Sequence, residues 1–216
     1  MNSDKNLNDS SDEKFRLYCD RVKNEFCPFL SPSIKAELIF FESVAIDAKN
    51  NQFLESEFFW LMMARVKRFC AMRKTLNASQ KNLLCFNVEF TYPEQLAVPY
   101  GERRFEIPYW ILRKIFTAGR IIIGDFWLGE KEITKQGKLL PEPNLNFFSI
   151  RSMIKSLDDR FIEASPELAD DYQKSFSDFH FKHEDDILIK YYPLDILSLE
   201  NRLSEYNKIR FDVYHV

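Results

Sequence analysis

The most reactive side chain in an unusual local setting is Cys27, which is followed by Pro28, Phe29 and Leu30. A cysteine thiolate is a strong nucleophile and a good ligand for haem iron. The following proline removes one backbone donor and stiffens the segment, which suits a ligand that must be held in place. The ordinary alternative is a free thiol buried at a helix end, since free Cys is among the most buried residue types.

Three further groupings have residue types suited to chemistry. Gly124-Asp125 lies between Ile121-Ile122-Ile123 and Phe126-Trp127. Glycine inside a strand marks a bulge or the close approach of another group. A carboxylate within an apolar run needs a partner when buried, unless Asp125 simply faces water while its neighbours face inward. Arg151 and Asp158 fall on one edge of an expected helix, about 10 Å apart by helix rise. Flanking one polar ligand suits that separation, and Arg is the residue of choice for gripping a carboxylate or phosphate. A snorkelling Arg with its stem on the core is the commoner role. His180 and His183 stand three apart, a spacing at which two imidazoles on a helix can share a metal, although it is not the His-Glu-x-x-His pattern.

These residues need elements to position them. Met1 to Asp9 are almost wholly polar and are expected to form a disordered tail, with residues 10–216 a single domain. Ser10 and Glu13 have capping-box spacing, and Phe15, Cys19, Val22 and Phe26 then recur at helical steps. Pro28 ends that helix, and Ser31-Pro32 opens a short helical turn. Residues 37–46 read as a strand. Residues 55–74 read as a helix with Phe59, Met62, Met63, Val66, Phe69 and Cys70 inward and Arg65, Lys67, Arg68 and Arg73 outward. Residues 84–92 alternate cleanly and read as a strand. A loop over 93–104 leads to a helix over 109–117, with Gly119 as its left-handed cap. Residues 120–128 read as a strand and 129–143 as a polar loop. Phe147, Ile150, Ile154 and Leu157 suggest a helix over 147–158. Ser165-Pro166 starts another, with Leu168, Tyr172, Phe176 and Phe179 inward. Residues 187–192 and 209–216 read as strands and 194–207 as a helix. The fold class is α+β, with one central, mainly antiparallel sheet flanked by helices.

Composition narrows the function classes. The 216 residues include 21 Phe but only 5 Gly, which favours an aromatic core and argues against Gly-rich phosphate loops. The formal net charge of -3 gives no overall basic footprint, so no nucleic-acid partner is expected. No stretch reaches the roughly 18 apolar residues of a membrane span. Four cysteines at irregular spacing, with no export signal, imply reduced thiols in a cytoplasm.

Two blocks resemble a known family. One is Cys27-Pro28-Phe29-Leu30-Ser31-Pro32-Ser33-Ile34-Lys35-Ala36. The other is Arg120-Ile121-Ile122-Ile123-Gly124-Asp125-Phe126 with Ser149-Ile150-Arg151-Ser152-Met153 and Asp158-Asp159-Arg160-Phe161. Together they resemble a family of uncharacterised bacterial domains that has a Cys-Pro-Phe segment, a Gly-x-Phe strand and an Arg-x-Met block. More distantly, the first block resembles the Cys-Pro-Phe segment of the YqcI/YcgG family, some of whose members are haem-dependent enzymes that hydroxylate nitrogen. The resemblance implies a pocket near Cys27, Gly124 and Arg151, with Phe29, Asp125 and Asp158 as further candidates. The leading expectation is a haem-binding domain that oxidises a small nitrogen-containing or carboxylate substrate. In it Cys27 is the thiolate ligand and Arg151 the partner of a propionate or substrate carboxylate. The alternative is a non-catalytic interaction module of a defence or effector system, using aromatics around Phe58, Trp60 and Trp127. A third reading is a metal-dependent hydrolase at His180 and His183.

Overall fold

The computed structural model describes residues 3–23, 26–27, 29–46, 51–91, 105–134, 137–154, 158 and 165–176. The expected elements over 187–192, 194–207 and 209–216 lie outside them, as do Pro28, Phe179, His180 and His183. The class is α+β, as the sequence implies. The chain divides into two compact units. One comprises Met1–Ala45, Phe69–Thr91 and Ile122–Met153, and the other Ile46–Arg68, Tyr92–Ile121 and Ile154–Val216. No helix among the described residues is long and apolar enough to cross a membrane.

The first unit holds a mixed, mostly antiparallel sheet of four strands in the order β1-β2-β4-β3. The strands are β1 (Ile39–Ala45), β2 (Cys85–Thr91), β3 (Ile121–Phe126) and β4 (Phe147–Ser152). β1 and β2 are parallel, whereas β2 and β4 are antiparallel. β4 corrects the expected helix over 147–158. Phe147, Ile150 and Ile154 satisfy a helical period, but so short a run fits a strand as well. Hydrogen bonding to β2 decides between them, and beyond Phe147 the burial alternates accordingly: Phe148, Ile150 and Ser152 are buried, Ser149 and Arg151 only partly.

Helix α1 (Ser3–Val22) covers one face of this sheet. Its buried residues Phe15, Tyr18, Cys19 and Val22 recur at three- and four-residue steps, so one stripe faces inward. Phe15 stacks on Phe41 at 4.6 Å and meets Phe147 edge-on at 5.3 Å. Phe126 lies parallel to Phe147 at 4.5 Å. Burying such rings stabilises the layer by about 1.5–3 kcal/mol each. Helical backbone extends back to Ser3, through most of the expected tail, so Ser10 lies inside the helix rather than capping it. After α1 a turn leads to α2 (Leu30–Lys35), whose N-cap is Phe29 rather than Ser31. Glu37 then takes a left-handed φ of 56° that turns the chain into β1.

The long helix α3 (Asn51–Lys74) and the short α4 (Ala78–Lys81) precede β2. All six inward residues expected in α3 are buried. Arg73, expected outward, is buried too, with its guanidinium 5.6 Å from the centre of the Phe69 ring. α4 has a complete capping box between Asn77 and Gln80.

In the second unit, Phe58 stacks on Phe105 at 4.3 Å. Helix α5 (Glu106–Thr117) buries Ile111, Leu112, Ile115 and Phe116. A 3-10 turn over Pro166–Leu168 runs into α6 (Ala169–Ser175), which Lys114 joins through an ion pair to Asp171 at 2.5 Å. Leu168 and Tyr172 are buried, as their spacing implies. The left-handed residue after α5 is Arg120, with φ 55°, and not Gly119. Arg120 is held there by its side chain: Nε donates to the Ser175 carbonyl at 2.7 Å and the guanidinium lies over Phe176. Those contacts offset the steric cost that would otherwise favour glycine.

Candidate functional site

The pairing register of the first unit places Ile39, Cys85 and Arg151 in one row across β1, β2 and β4. Phe41, Asn87 and Ser149 form the next row, and Ser43, Glu89 and Phe147 the third. Residues directly opposite one another share a face, and residues two apart on a strand share it too. The face that α1 covers therefore carries Phe147 with Ser43 and Glu89 at one end and, at the other, a polar end made by Cys85 and Arg151 with Asn87 and Ser149 beside them. That polar end is internally hydrogen-bonded. Cys85 Sγ lies 3.2 Å from Ser149 Oγ and 3.5 Å from the Asn87 side chain. Asn87 Nδ2 donates to the Phe40 carbonyl at 3.0 Å.

The Cys27 turn closes over this same face. The Cys27 N–H donates to the Val22 carbonyl at 3.1 Å, and its carbonyl accepts from the Leu30 N–H at 3.2 Å. The thiol is thus carried on backbone pinned from both sides. Cys27 is half-buried and packs, with Phe26, against the cluster of Phe15, Tyr18, Cys19, Val22, Leu30, Leu145 and Phe147. Ile39, the row partner of Cys85, packs on that cluster as well. Two residues after Cys27, the Phe29 ring receives the Arg151 guanidinium, whose carbon lies 5.5 Å from the ring centre. One edge of Arg151 donates to the Ser152 carbonyl at 3.2 Å.

Electrostatics follow from this convergence. Burial pushes the Cys19 thiol up to about 12, and the neighbouring Cys85, Asp20 and Cys27 add to the rise. Burial also raises Cys85, while hydrogen bonds from Ser149 and Asn87 and the Arg151 charge pull it back. The Tyr18 phenol is raised by burial and then by the Glu132 carboxylate. Cys19 and Cys85 are therefore protonated, unreactive thiols at neutral pH. Their grouping with Cys27 was invisible in the sequence, where they stand at positions 19, 27 and 85 with no metal-like spacing. Pairing of β1 with β2 is what brings Cys85 to the other two. Among the described residues no group of three or more His, Cys, Asp or Glu is arranged to hold a metal ion.

The structure brings some predicted residues together and separates others. Cys27, Phe29 and Arg151 share one end of the sheet face. Gly124 lies on β3, beside β4, and has the same parity as Phe126, so it belongs to that face. The close approach expected of this glycine is made by the Phe126 ring, whose Cε2 would stand 3.4 Å from an added Cβ. Asp125 has the opposite parity and accepts a hydrogen bond from Trp127 Nε1 at 2.9 Å, so its partner is an indole and the face it meets is not simply water. Asp158 is buried, and its Oδ2 accepts from the Ile154 N–H at 2.6 Å. The expected helix edge shared by Arg151 and Asp158 does not exist, because Arg151 is on a strand. Of the aromatics expected to be exposed, Phe58 and Trp127 are buried and Trp60 is half-buried. Compared with protein families, curated proteins and solved structures, the chain matches none.

Proposed function

We propose that the Cys27 turn is a ligand site and that haem is its ligand. The observation that carries this reading is the convergence of Cys27, Phe29 and Arg151 on one end of one sheet face. Separate positions would have left Cys27 as an ordinary core thiol.

The chemistry of these residues fits a haem. Cys27 is a soft donor on a pinned backbone, half-buried rather than sealed in. The Arg151 guanidinium carbon lies 5.5 Å from the centre of the Phe29 ring, and the donors of a guanidinium lie along the edges of its own plane. A propionate or a substrate carboxylate is the natural acceptor for those edges. The inner layer is filled: Phe15, Phe41, Phe126 and Phe147 are in ring contact, which leaves no flat slot among them. Bound at the turn, haem would supply one-electron and dioxygen chemistry, with Cys27 supplying a sulfur ligand and Arg151 a partner for an acid group.

Titration of the purified protein with haemin tests the reading. The expected result is stoichiometric uptake with a thiolate-type Soret band, lost or shifted in Cys27→Ala. No uptake, or an unchanged band in Cys27→Ala, removes the proposal.

A second reading, a protein-interaction module, is favoured by a different feature. Residues 132–134 and 138–140 pair as two short antiparallel arms: Ile133 and Leu139 bridge, the Thr134 N–H donates to the Lys138 carbonyl at 2.8 Å and the Leu140 N–H to the Glu132 carbonyl at 2.8 Å. Bridged residues share one side of an antiparallel pair. Ile133 is 69% exposed and Leu139 54%. A paired apolar tip of this kind suits a groove on another protein, and the simplest such protein is a second copy. Sedimentation over a concentration series, comparing wild type with Ile133→Ser/Leu139→Ser, tests that version. A wild-type chain that stays monomeric throughout sinks it.

A further inference from the structure

The residue that holds Cys27 in place is not adjacent to it in sequence. Phe29 is the N-cap of α2, and its carbonyl accepts the Ser33 N–H at 3.0 Å, so the ring is carried on the same rigid turn as Cys27. From the other side, Arg151 is fixed by strand pairing to Cys85 and by its bond to the Ser152 carbonyl. The guanidinium over the Phe29 ring is thus a clasp between a strand and a turn that are remote in sequence. The backbone bonds of Cys27 reach only Val22 and Leu30, on the flanking helices. They shape the turn but do not attach it to the sheet.

We infer that Arg151 is a positioning residue for Cys27: through its cation–π contact with Phe29 it pins the Cys27 turn to the sheet, and so sets the exposure and direction of the thiol. This rests on the haem reading only for its consequence, because the clasp itself is a property of the chain without ligand. The cation over the ring is what matters: a methionine of similar length loses the charge that the ring face attracts.

The experiment is the alkylation rate of Cys27 by iodoacetamide, read peptide by peptide by mass spectrometry on the full-length protein without haem. Melting temperature serves as the control for general unfolding. Arg151→Met is expected to speed Cys27 alkylation about fivefold, the size that losing one partly desolvated cation–π contact gives a local opening equilibrium. Arg151→Lys, which keeps a cation, should stay closer to the wild-type rate than Arg151→Met. Phe29→Leu should resemble Arg151→Met, Phe29→Tyr should keep the wild-type rate, and the Arg151→Met/Phe29→Leu pair should exceed neither single change. A wild-type rate in Arg151→Met overturns the inference, as does full additivity in the pair. A variant too unstable to assay is replaced by Phe29→Leu, which removes the ring and leaves the strand intact. Failure of haem uptake by the wild type would strike the haem reading alone and leave these rates as they are.

Discussion

Asn87 on β2 reaches across to β1 and donates through Nδ2 to the carbonyl of Phe40 at 3.0 Å, while its own side chain is buried beside the Cys85 thiol. A side-chain amide thus ties two parallel strands in the row next to Cys85 and Arg151. The bond joins the polar end of the face to the strand that follows the Cys27 turn.

Removing that amide leaves the Phe40 carbonyl with one partner fewer. Asn87→Ala is expected to cost about 1–3 kcal/mol in urea denaturation. Asn87→Asp should cost more, because a carboxylate would face a carbonyl oxygen and lose its hydration. A neutral effect for both would mean that water replaces the amide and that the row is more open than the geometry implies.

Gly124 is predicted to tolerate a methyl but not a branched side chain. In Gly124→Ala the new Cβ meets Phe126 Cε2 at 3.4 Å, so the ring shifts slightly or not at all. Loss of glycine's unfolded-state entropy then makes the change neutral or stabilising by up to about 1 kcal/mol. Gly124→Val pushes the Phe126 ring off its 4.5 Å stack on Phe147 and should destabilise by about 1–3 kcal/mol. Thermal melts of the two variants check the contrast.

α1 should owe its place to Phe15 rather than to its apolar content as a whole. Phe15 is buried against Phe41 and Phe147, whereas Leu17 on the same helix is 54% exposed. Phe15→Ala is expected to cost about 3–5 kcal/mol, and Leu17→Ala within about 0.5 kcal/mol. Equal costs in chemical denaturation would show that α1 does not dock by the stripe described.

The elements legible in the sequence are those whose pattern has a single solution. β2 alternates over its whole length, and the stripe of α3 is long enough to exclude a strand. β4 was not legible, because Phe147, Ile150 and Ile154 fit a helical period, whereas in the strand Phe147 and Ile150 face opposite sides of the sheet and both are buried, and only pairing with β2 decides. The Cys27 turn could be placed from Pro28. Its neighbour Arg151 is expected nearby on a helix, and stands on a strand instead. The thiols of Cys19 and Cys85 gave no signal at all. Their meeting depends on a parallel strand pair closed by the whole of α3, a long-range event that residue spacing does not encode. The left-handed position falls at Arg120 rather than at Gly119 for a similar reason: the contacts that support Arg120 come from Ser175 and Phe176, far along the chain.

Alkaline pH is expected to loosen the first unit. Cys19 is an acid whose folded pKa is raised from 9.0 to about 12, mainly by burial. Cys85 is raised by the same cause, and so is Tyr18. The folded chain therefore keeps these protons at a pH where the unfolded chain has released them. Stability is fully present below the unfolded value and falls as pH rises from about 9 towards 12, by about 1.4 kcal/mol per pH unit for each such thiol. Urea midpoints under reducing conditions, followed from neutral pH upward, should be flat at first and then decline. Cys19→Ala removes one titrating group and should make the decline shallower, even though it lowers stability at neutral pH through the small cavity it leaves. An identical alkaline slope in Cys19→Ala would show that this thiol meets water in the folded state, and would place it outside the buried cluster of Phe15, Tyr18 and Val22.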